Sequence, residues 1–231
     1  MQVDLNCDLG EGSGSDADLL PLVTTANIAC GFHAGDPATA FATAAAAFQL
    51  GVRIGAHPSF PDRVHFGRRD LDRSEREIYE DCVFQVGSLD AVARACGTRL
   101  SHVKAHGALY NLACRDAHFA KPVVSAAALF GLPVFGRPAS ELEAACRDRC
   151  QFVPEGFADR RYKPDGSLVP RSEPHSLIDD PHEAAAQALR LVRDGGVRTL
   201  CVHGDTPGAV AFARALRTAL VTAGFDVRSF A

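Results

Sequence analysis

The stretch ANIACGFHAGDP, residues 26–37, contains the end of an apolar strand, a glycine-rich turn and the start of a helix. Its first half, through Cys30, has the continuous apolar character of a strand that is buried on both faces. Asp36 followed by Pro37 is typical of a helix start, and the helix is predicted over residues 38–50. The stretch is therefore one strand-to-helix unit of the kind that builds parallel sheets.

The same unit repeats along the whole chain without a linker or a low-complexity segment. A capping box at Ser74–Glu77 opens a helix that runs to about Gly97, and Asp205-Thr206-Pro207 precedes a helix over residues 208–223. Strands are predicted at 3–9, 25–31, 53–56, 101–104, 133–136, 152–154 and 199–203, with a terminal one near 225–229. This order predicts one α/β domain over residues 1–231, with a parallel sheet that is either a barrel or doubly wound.

Composition excludes several classes of function. The 231 residues are 47% hydrophobic and 23% charged, and the net charge of −4 offers no basic surface for nucleic acid. No apolar stretch reaches the length of a membrane span, and the acidic start MQVDLNCDLGEG does not resemble a signal peptide, so we expect a cytoplasmic protein. The eight cysteines contain no CxxC pair, and we expect them to be free thiols.

Polar residues recur where the predicted strands end. Because ligands bind at the carboxyl ends of parallel strands, we expect these side chains to surround one site. They are Asn6, Asp8, Glu11, His33, His57, Lys104, His106, Glu155, His203 and Asp205. Carboxylates beside histidine and lysine suit general acid–base chemistry, whereas Asp8, His33 and His57 could instead hold a divalent metal ion that activates water. The residues alone leave both alternatives open.

Two predicted connections, 58–73 and 155–180, are longer than routine turns and carry clustered arginines. Arg68 and Arg69 follow Gly67 and are candidates for an anionic ligand, since guanidinium groups bind carboxylate and phosphate through two hydrogen bonds. Arg63 suits an ion pair and a ligand contact equally well. Neither a P-loop nor a GxGxxG dinucleotide motif is present in the sequence.

Seven segments together resemble the LamB/YcsF family. They are DLNCDLGEG (4–12), ANIACGFHAGDP (26–37), GVRIGAHPSFPD (51–62), FGRRDL (66–71), HVKAHGALYN (102–111), FADRRYKPDGSLVPR (157–171) and CVHGDTP (201–207). The resemblance implies a single seven-stranded β/α barrel similar to the glycoside hydrolase/deacetylase superfamily. It also implies ATP-dependent opening of the lactam 5-oxo-L-proline to L-glutamate, as a 5-oxoprolinase subunit with two allophanate-hydrolase-like partner subunits.

The resemblance also implies roles for individual residues. The catalytic candidates are Asp8, Glu11, His33, His57, Lys104 and His106, and the candidates for binding substrate or nucleotide are Asn6, Arg68, Arg69, Glu155, Arg160, His203 and Asp205. ATP, with a divalent cation such as Mg²⁺, is the implied cofactor, on this subunit or on the partners. The chain departs from the family pattern at Ala105, where proline is usual, and at 137–140. A metal-dependent deacetylase and a small-carboxylate binding protein are the alternatives.

Overall fold

Seven parallel strands close into a barrel in the computed structural model, which describes residues 1–171, 173–204 and 208–230. The strands are β1 (Gln2–Leu9), β2 (Thr25–Ala29), β3 (Arg53–His57), β4 (Leu100–Val103), β5 (Val134–Gly136), β6 (Phe152–Phe157) and β7 (Thr199–His203). Each strand pairs with the next in chain order, and β1 pairs with both β2 and β7, which closes the barrel. A short β8 (Asp226–Val227) lies beside the start of β1. The predicted seven-stranded barrel is confirmed.

Helices connect the strands and cover the outside of the barrel. In the described ranges they are α1 (Asp16–Leu19), α2 (Pro37–Gln49), α3 (Glu75–Ala95), α4 (Gly107–Arg115), α5 (Ala117–Leu129), α6 (Glu141–Cys146), α7 (Pro181–Asp194) and α8 (Ala209–Thr222). Asp36 caps α2 by accepting a hydrogen bond from the Thr39 amide, and the capping box at Ser74 and Glu77 is formed, as predicted. The predicted cap at Asp205 lies outside the described residues. None of the described helices has the length and apolar character to cross a bilayer.

The first strand shows how the barrel is divided into an apolar outside and a polar inside. Val3, Leu5, Cys7 and Leu9 belong to the hydrophobic core between barrel and helices. The alternate residues Asp4, Asn6 and Asp8 are also buried, but they point inward and bond to other strands. Period-two alternation along the strand therefore delivers a column of polar groups to the barrel axis, and Asp8 is the uppermost.

The lower part of this column is a closed hydrogen-bond network. The Asp4 carboxylate accepts hydrogen bonds from the hydroxyl groups of Thr25 and Thr199, and burial raises the pKa of Asp4 to about 6. One level higher, Asn6 donates to Thr199 at 2.7 Å, and Asn27 donates to the Asn6 side-chain oxygen at 2.8 Å. Because these polar groups are satisfied by one another, the barrel can bury them without a large penalty.

All eight cysteines are free thiols, as expected from their spacing. The sulfur atoms of Cys146 and Cys150 lie 3.7 Å apart and form no disulfide bond.

The close contact between Gly55 and His102 gives a first prediction. A Cβ atom at Gly55 would lie 2.0 Å from the His102 ring, which bonds Asn27 and stacks on Phe135. We expect Gly55→Ala to lower the free energy of unfolding by about 2–4 kcal/mol, because the ring must leave its site and its hydrogen bond. Urea denaturation measures this change.

Gly87→Ala is the matched control, since Gly87 lies in helix α3 and its added Cβ would meet the Phe130 ring at an ordinary 3.5 Å. Alanine favours a helix by about 0.5–1 kcal/mol over glycine, so the control should be neutral or more stable. Equal stability of the two variants would contradict the prediction.

Candidate active site at the mouth of the barrel

Most of the predicted strand-end residues meet at the carboxyl end of the barrel. Asp8 lies near the end of β1, His57 and His203 end β3 and β7, and Lys104 follows β4 directly. These side chains and His106 line one cavity of about 540 Å³. This volume lies within the range of sites for small molecules, about 300–1,000 Å³.

A buried lysine centre, formed by Asp8, Lys104 and Glu155, lies at the floor of this cavity. Lys104 is only 2% exposed, and its Nζ is 2.8 Å from Asp8 Oδ1 and 3.0 Å from Glu155 Oε1. It also donates to the Cys201 sulfur at 3.0 Å. Burial opposes the charge, but Asp8, Cys201 and Glu155 outweigh it and hold the pKa of Lys104 well above its usual value.

The carboxylate of Asp8 is held ionised by the same centre. Burial opposes its charge, but the neighbouring His57 and Lys104 outweigh burial and hold the pKa of Asp8 well below its usual range. Asn27 also donates to Asp8 Oδ1 at 2.8 Å. Asp8 Oδ1 thus accepts hydrogen bonds from both Lys104 and Asn27. The other oxygen, Oδ2, lies 3.4 Å from His57 Nε2.

The sequence analysis placed Glu155 just after the end of its strand, but Glu155 lies within β6. Strand β6 continues to Phe157, three residues beyond the predicted end, and Glu155 pairs with Thr199 inside the barrel. Asn6 donates to its Oε1 at 3.1 Å. Asn6 and Glu155 are therefore buried below Lys104, where they support the ammonium group from the side away from the cavity. Run length alone could not place this end, because Gly156 and Phe157 continue the extended chain.

A histidine cluster, formed by Glu11, His33, His57 and His106, borders Asp8. The Glu11 carboxylate lies 3.1 Å from His33 Nε2 and 3.4 Å from His106 Nδ1. His33 Nδ1 is 2.9 Å from the Ser59 hydroxyl, so the ring is fixed between Ser59 and Glu11. Burial lowers the pKa of His33 well below its usual value, which keeps this ring neutral.

The hydrogen bonds of His57 and His106 show that one proton lies between the two rings. His57 Nδ1 is 2.8 Å from the Lys104 carbonyl oxygen, and His106 Nε2 is 2.9 Å from that of Phe66. Carbonyl oxygens only accept, so both nitrogens carry hydrogen, and the network assigns these tautomers. The remaining nitrogens, His57 Nε2 and His106 Nδ1, are 3.0 Å apart, and a contact this short needs one further proton.

That proton lies in the contact between the two rings. Burial, followed by the neighbouring rings of His33 and His57, holds the pKa of His106 well below its usual value. His57 Nε2, in contrast, faces the ionised Asp8. The cluster therefore stores one acidic hydrogen between His57 and His106, directly beside a carboxylate.

The metal set predicted from the sequence, Asp8, His33 and His57, does not converge on one point. His33 and His57 group instead with Glu11 and His106, with all four donor atoms within 4.8 Å of one another. An imidazole binds a metal through a lone pair in its ring plane, yet the His33 and His106 rings are stacked 3.8 Å apart and are parallel within 5°. The two rings cannot both bind one ion without rotating, and Lys104 already supplies a cation to Asp8.

From this geometry we predict that the chain, purified without chelator, retains well below one zinc ion per polypeptide. Elemental analysis by mass spectrometry measures this directly. A zinc content of one per chain, lost together in Glu11→Gln and His106→Asn, would contradict the prediction. His65→Asn is the control, since His65 is a half-exposed histidine that bonds Asp62 away from the cluster.

Asp159 is a site residue that the sequence analysis missed. Its Oδ2 lies 2.7 Å from His203 Nδ1 and accepts from the His203 amide, so it orients this ring at the cavity. Burial opposes its charge, but the contacts with His203 lower its pKa. Asp159 lies two residues after β6, in the FADRR segment, and the same rule about strand ends could have found it once the end of β6 was known.

The arginines of the two long connections separate into different environments. Arg68 and Arg160 line the cavity, as does Arg171, which the sequence analysis did not select; Arg137, from the turn after β5, lines it too. Arg69 has a side chain that is 57% exposed and lies 3.5 Å from Asp62, away from the cavity. Arg63 donates to the carbonyl oxygens of residues 31 and 35, so it fits neither the ion pair nor the ligand contact.

The turn at residues 31–35 is a packing feature. Gly31 and Gly35 both have positive φ, and a Cβ at Gly35 would lie 2.7 Å from the carbonyl oxygen of Gly10. The glycine therefore lets the turn after β2 pass against the turn after β1, and this contact brings His33 and Glu11 together. Asp205, the remaining predicted binding residue, lies outside the described residues.

Comparisons with known proteins agree with this fold. The sequence pattern of the LamB/YcsF family matches residues 3–231. The chain is 46% identical to the A subunit of 5-oxoprolinase from Bordetella pertussis, over 98% of each chain. It is 44% identical to the crystal structure of a "lactam utilization protein" from Thermus thermophilus, with a TM-score of 0.92 and complete coverage of both chains.

More distant structures share the fold alone. A polysaccharide deacetylase from Bacillus cereus superposes with a TM-score of 0.59 at 11% identity, covering 100% of this chain and 92% of that one. The likeness agrees with the barrel class expected from the sequence.

Proposed function

The chain belongs to the LamB/YcsF family, and from this membership we propose that it is the A subunit of an ATP-dependent 5-oxoprolinase. The enzyme is a hydrolase of a cyclic amide: it opens 5-oxo-L-proline to L-glutamate and couples the reaction to cleavage of ATP to ADP and phosphate. The observation that supports this activity is the ionised Asp8 in the cavity, with one carboxylate oxygen 2.8 Å from Lys104 Nζ and the other 3.4 Å from His57 Nε2.

The lactam explains the need for ATP. An amide in a five-membered ring is stabilised by resonance and carries little strain, so water attacks it slowly. Phosphorylation of the amide oxygen turns it into a leaving group and makes the ring carbon electrophilic. ATP, with a divalent cation such as Mg²⁺, supplies this activation in the complex. Water adds to the ring carbon, the carbon–nitrogen bond breaks to leave an acyl phosphate, and a second water hydrolyses that acyl phosphate to L-glutamate and phosphate.

Different residues of the site carry out the proton transfers to and from the substrate. Asp8 Oδ2, with Glu11, orients and deprotonates the attacking water, since its other oxygen is already occupied by Lys104 and Asn27. His57 donates a proton to the ring nitrogen as the carbon–nitrogen bond breaks. His33 and His106 hold Glu11 and His57 in place, and Lys104 with Arg68 neutralises the negative charge that develops on oxygen.

The chain acts with two further subunits, B and C, which resemble allophanate hydrolases. In this proposal the hydrolytic site is in the barrel of this chain, and the activated substrate is formed in the assembled complex. We place the complex in the cytoplasm, a reducing compartment in which eight free thiols are expected to persist.

The experiment is reconstitution of the chain with its two partner subunits, followed by measurement of glutamate released from 5-oxo-L-proline and ATP. Release that requires all three subunits and ATP supports the proposal. Deacetylation of an acylated sugar by the chain alone, with bound zinc, would replace it with the deacetylase alternative. Binding of 5-oxo-L-proline without turnover in the complex would instead indicate a carrier protein.

A further inference from the structure

Two cysteines away from the cavity lie close enough to react with each other. Cys146 is the last residue of helix α6, and Cys150 follows it shortly before strand β6 begins at Phe152. Their sulfur atoms are 3.7 Å apart, and neither residue is among those that line the cavity at the mouth of the barrel. We call these two residues the thiol pair.

The turn between α6 and β6 keeps the thiol pair together. The amides of Arg149 and Cys150 both donate to the Cys146 carbonyl oxygen, at 3.0 and 3.2 Å. Asp148 adopts the left-handed backbone conformation, with a φ of 62°, which aspartate tolerates better than most residues. The backbone of Cys150 is therefore folded back onto Cys146, and the contact between the sulfur atoms follows from this turn.

The two cysteines differ in exposure. Cys146 is only 3% exposed, whereas Cys150 is half-buried. Residues 147–149, which connect them, are all exposed. A small oxidant in solution therefore has access to Cys150, while Cys146 is screened from it.

The surroundings of the thiol pair favour a thiolate at Cys150. In the ionised pair the Cys146 thiol donates a hydrogen bond to the Cys150 sulfur, and this bond, with help from the charge of Arg149, lowers the pKa of Cys150 against the effect of burial. The same hydrogen bond and burial raise the pKa of Cys146. Because the thiolate is the nucleophilic form of cysteine, Cys150 is the sulfur that reacts first.

Cysteines in the core of the protein have a different environment. Cys7, Cys82 and Cys201 are fully buried, and burial raises the pKa of each thiol. Buried cysteines of this kind are chemically inert. Cys96 is half-buried like Cys150, but its sulfur lies 3.9 Å from the carbonyl oxygen of Phe41, so it provides a comparison of similar exposure.

We propose that the thiol pair is a site of reversible oxidation, at which a hydroperoxide oxidises Cys150 and Cys146 completes a disulfide bond. The Cys150 thiolate attacks one oxygen of hydrogen peroxide, the O–O bond breaks and hydroxide leaves, which gives a sulfenic acid. The Cys146 sulfur then attacks the sulfenic sulfur, so that an S–S bond forms, the S–O bond breaks and water leaves with the Cys146 proton. Overall, two thiols are oxidised and one peroxide molecule is reduced to two molecules of water.

The movement that the reaction requires is small. A disulfide bond is about 2.05 Å long, so the two sulfur atoms must approach each other by about 1.7 Å. The connecting residues 147–149 are exposed and can move without disturbing the core. Disulfide bonds of this kind are transient in a reducing compartment, where thiols restore the reduced pair.

The test treats the folded, reduced, full-length chain with hydrogen peroxide and then blocks the remaining thiols by alkylation. Trypsin cleaves after Arg147 and Arg149, so Cys146 and Cys150 fall on separate peptides that only a disulfide bond joins. We expect mass spectrometry to detect the joined peptides, and dithiothreitol to separate them. Alkylation at successive times should show that Cys150 is oxidised at least about tenfold faster than Cys96.

Substitutions assign the two roles within the thiol pair. Cys146→Ser should leave Cys150 as a sulfenic acid, which dimedone traps, and should give no joined peptides. Cys150→Ser should give neither the joined peptides nor a trapped sulfenic acid at Cys146. Cys96→Ser is the matched control and should form the disulfide bond as the wild type does, with circular dichroism showing that each variant is folded.

Folded wild-type chain that yields no joined peptides, or a Cys150 that is oxidised no faster than Cys96, would overturn the proposal. Joined peptides that persist in Cys150→Ser would also overturn it, because a different cysteine would then have to be the partner. Since neither the substrate nor the partner subunits take part, the result does not depend on the proposed function.

Discussion

Replacing Asp8 with asparagine is expected to lower glutamate release by the reconstituted complex about a thousandfold, with little change in the fold. A positioned general base contributes roughly 10²–10⁴ in rate, and Asp8 also lies 3.4 Å from His57 Nε2. Asparagine keeps the size and the oxygen that accepts from Lys104 and Asn27, so the packing around the barrel axis survives. Turnover with saturating ATP and 5-oxo-L-proline measures the effect.

The control for Asp8→Asn is Asp18→Asn, the same change at an exposed residue of α1. This variant should retain wild-type turnover. Circular dichroism and the midpoint of thermal unfolding establish that the Asp8 variant is folded before its activity is compared. Turnover of Asp8→Asn within tenfold of wild type would remove Asp8 from its catalytic role.

Much of the barrel follows from the sequence because local chemistry sets its element boundaries. Asp36 before Pro37 and the Ser74 capping box define helix starts that tertiary contacts do not alter. The rule that ligands bind at the carboxyl ends of parallel strands likewise predicted one shared site, and Asp8, His57 and Lys104 do line one cavity. The helix starts depend on residues close together in the chain, and the shared cavity depends on all strands of a parallel barrel ending at the same side, so a single sequence contains the information.

Other positions depend on contacts across the barrel and could not be predicted. Glu155 was expected at a strand end, but its inward position follows from the pairing of β6 with β7, which no local pattern encodes. Arg68 and Arg69 are adjacent, yet Arg68 lines the cavity and Arg69 lies beside Asp62. Their side chains leave the loop in different directions, and this difference is set by the fold.

Replacing Lys104 with methionine is expected to lower the free energy of unfolding by about 3–5 kcal/mol at pH 7, which is the cost of leaving a buried carboxylate without its cation. For a chain of this size the loss corresponds to a fall of roughly 10 °C in the unfolding midpoint. Methionine has a similar length and no charge, so the loss reports the ion pairs with Asp8 and Glu155 more than lost volume. Urea denaturation at pH 7 measures it.

The destabilisation caused by Lys104→Met is expected to depend on pH. The pKa of Asp8 is lowered in the folded protein, so its contribution is full above the unfolded value of about 4 and is lost as the pH falls through the folded value. The pKa of Lys104 is raised, so its contribution is full below about 10 and is lost as the pH rises through the folded value. The destabilisation by Lys104→Met should therefore be constant between these limits and shrink below pH 4.

The matched control is Lys121→Met, at an exposed position of α5, where the change should stay within about 0.5 kcal/mol at every pH. A Lys104→Met chain that is unfolded at pH 7 and refolds near pH 4 would support the same conclusion, because protonation of Asp8 removes the unpaired charge. A loss that is independent of pH would mean that Lys104 stabilises the barrel by filling space, and its role as the cation of the site would then have to be abandoned.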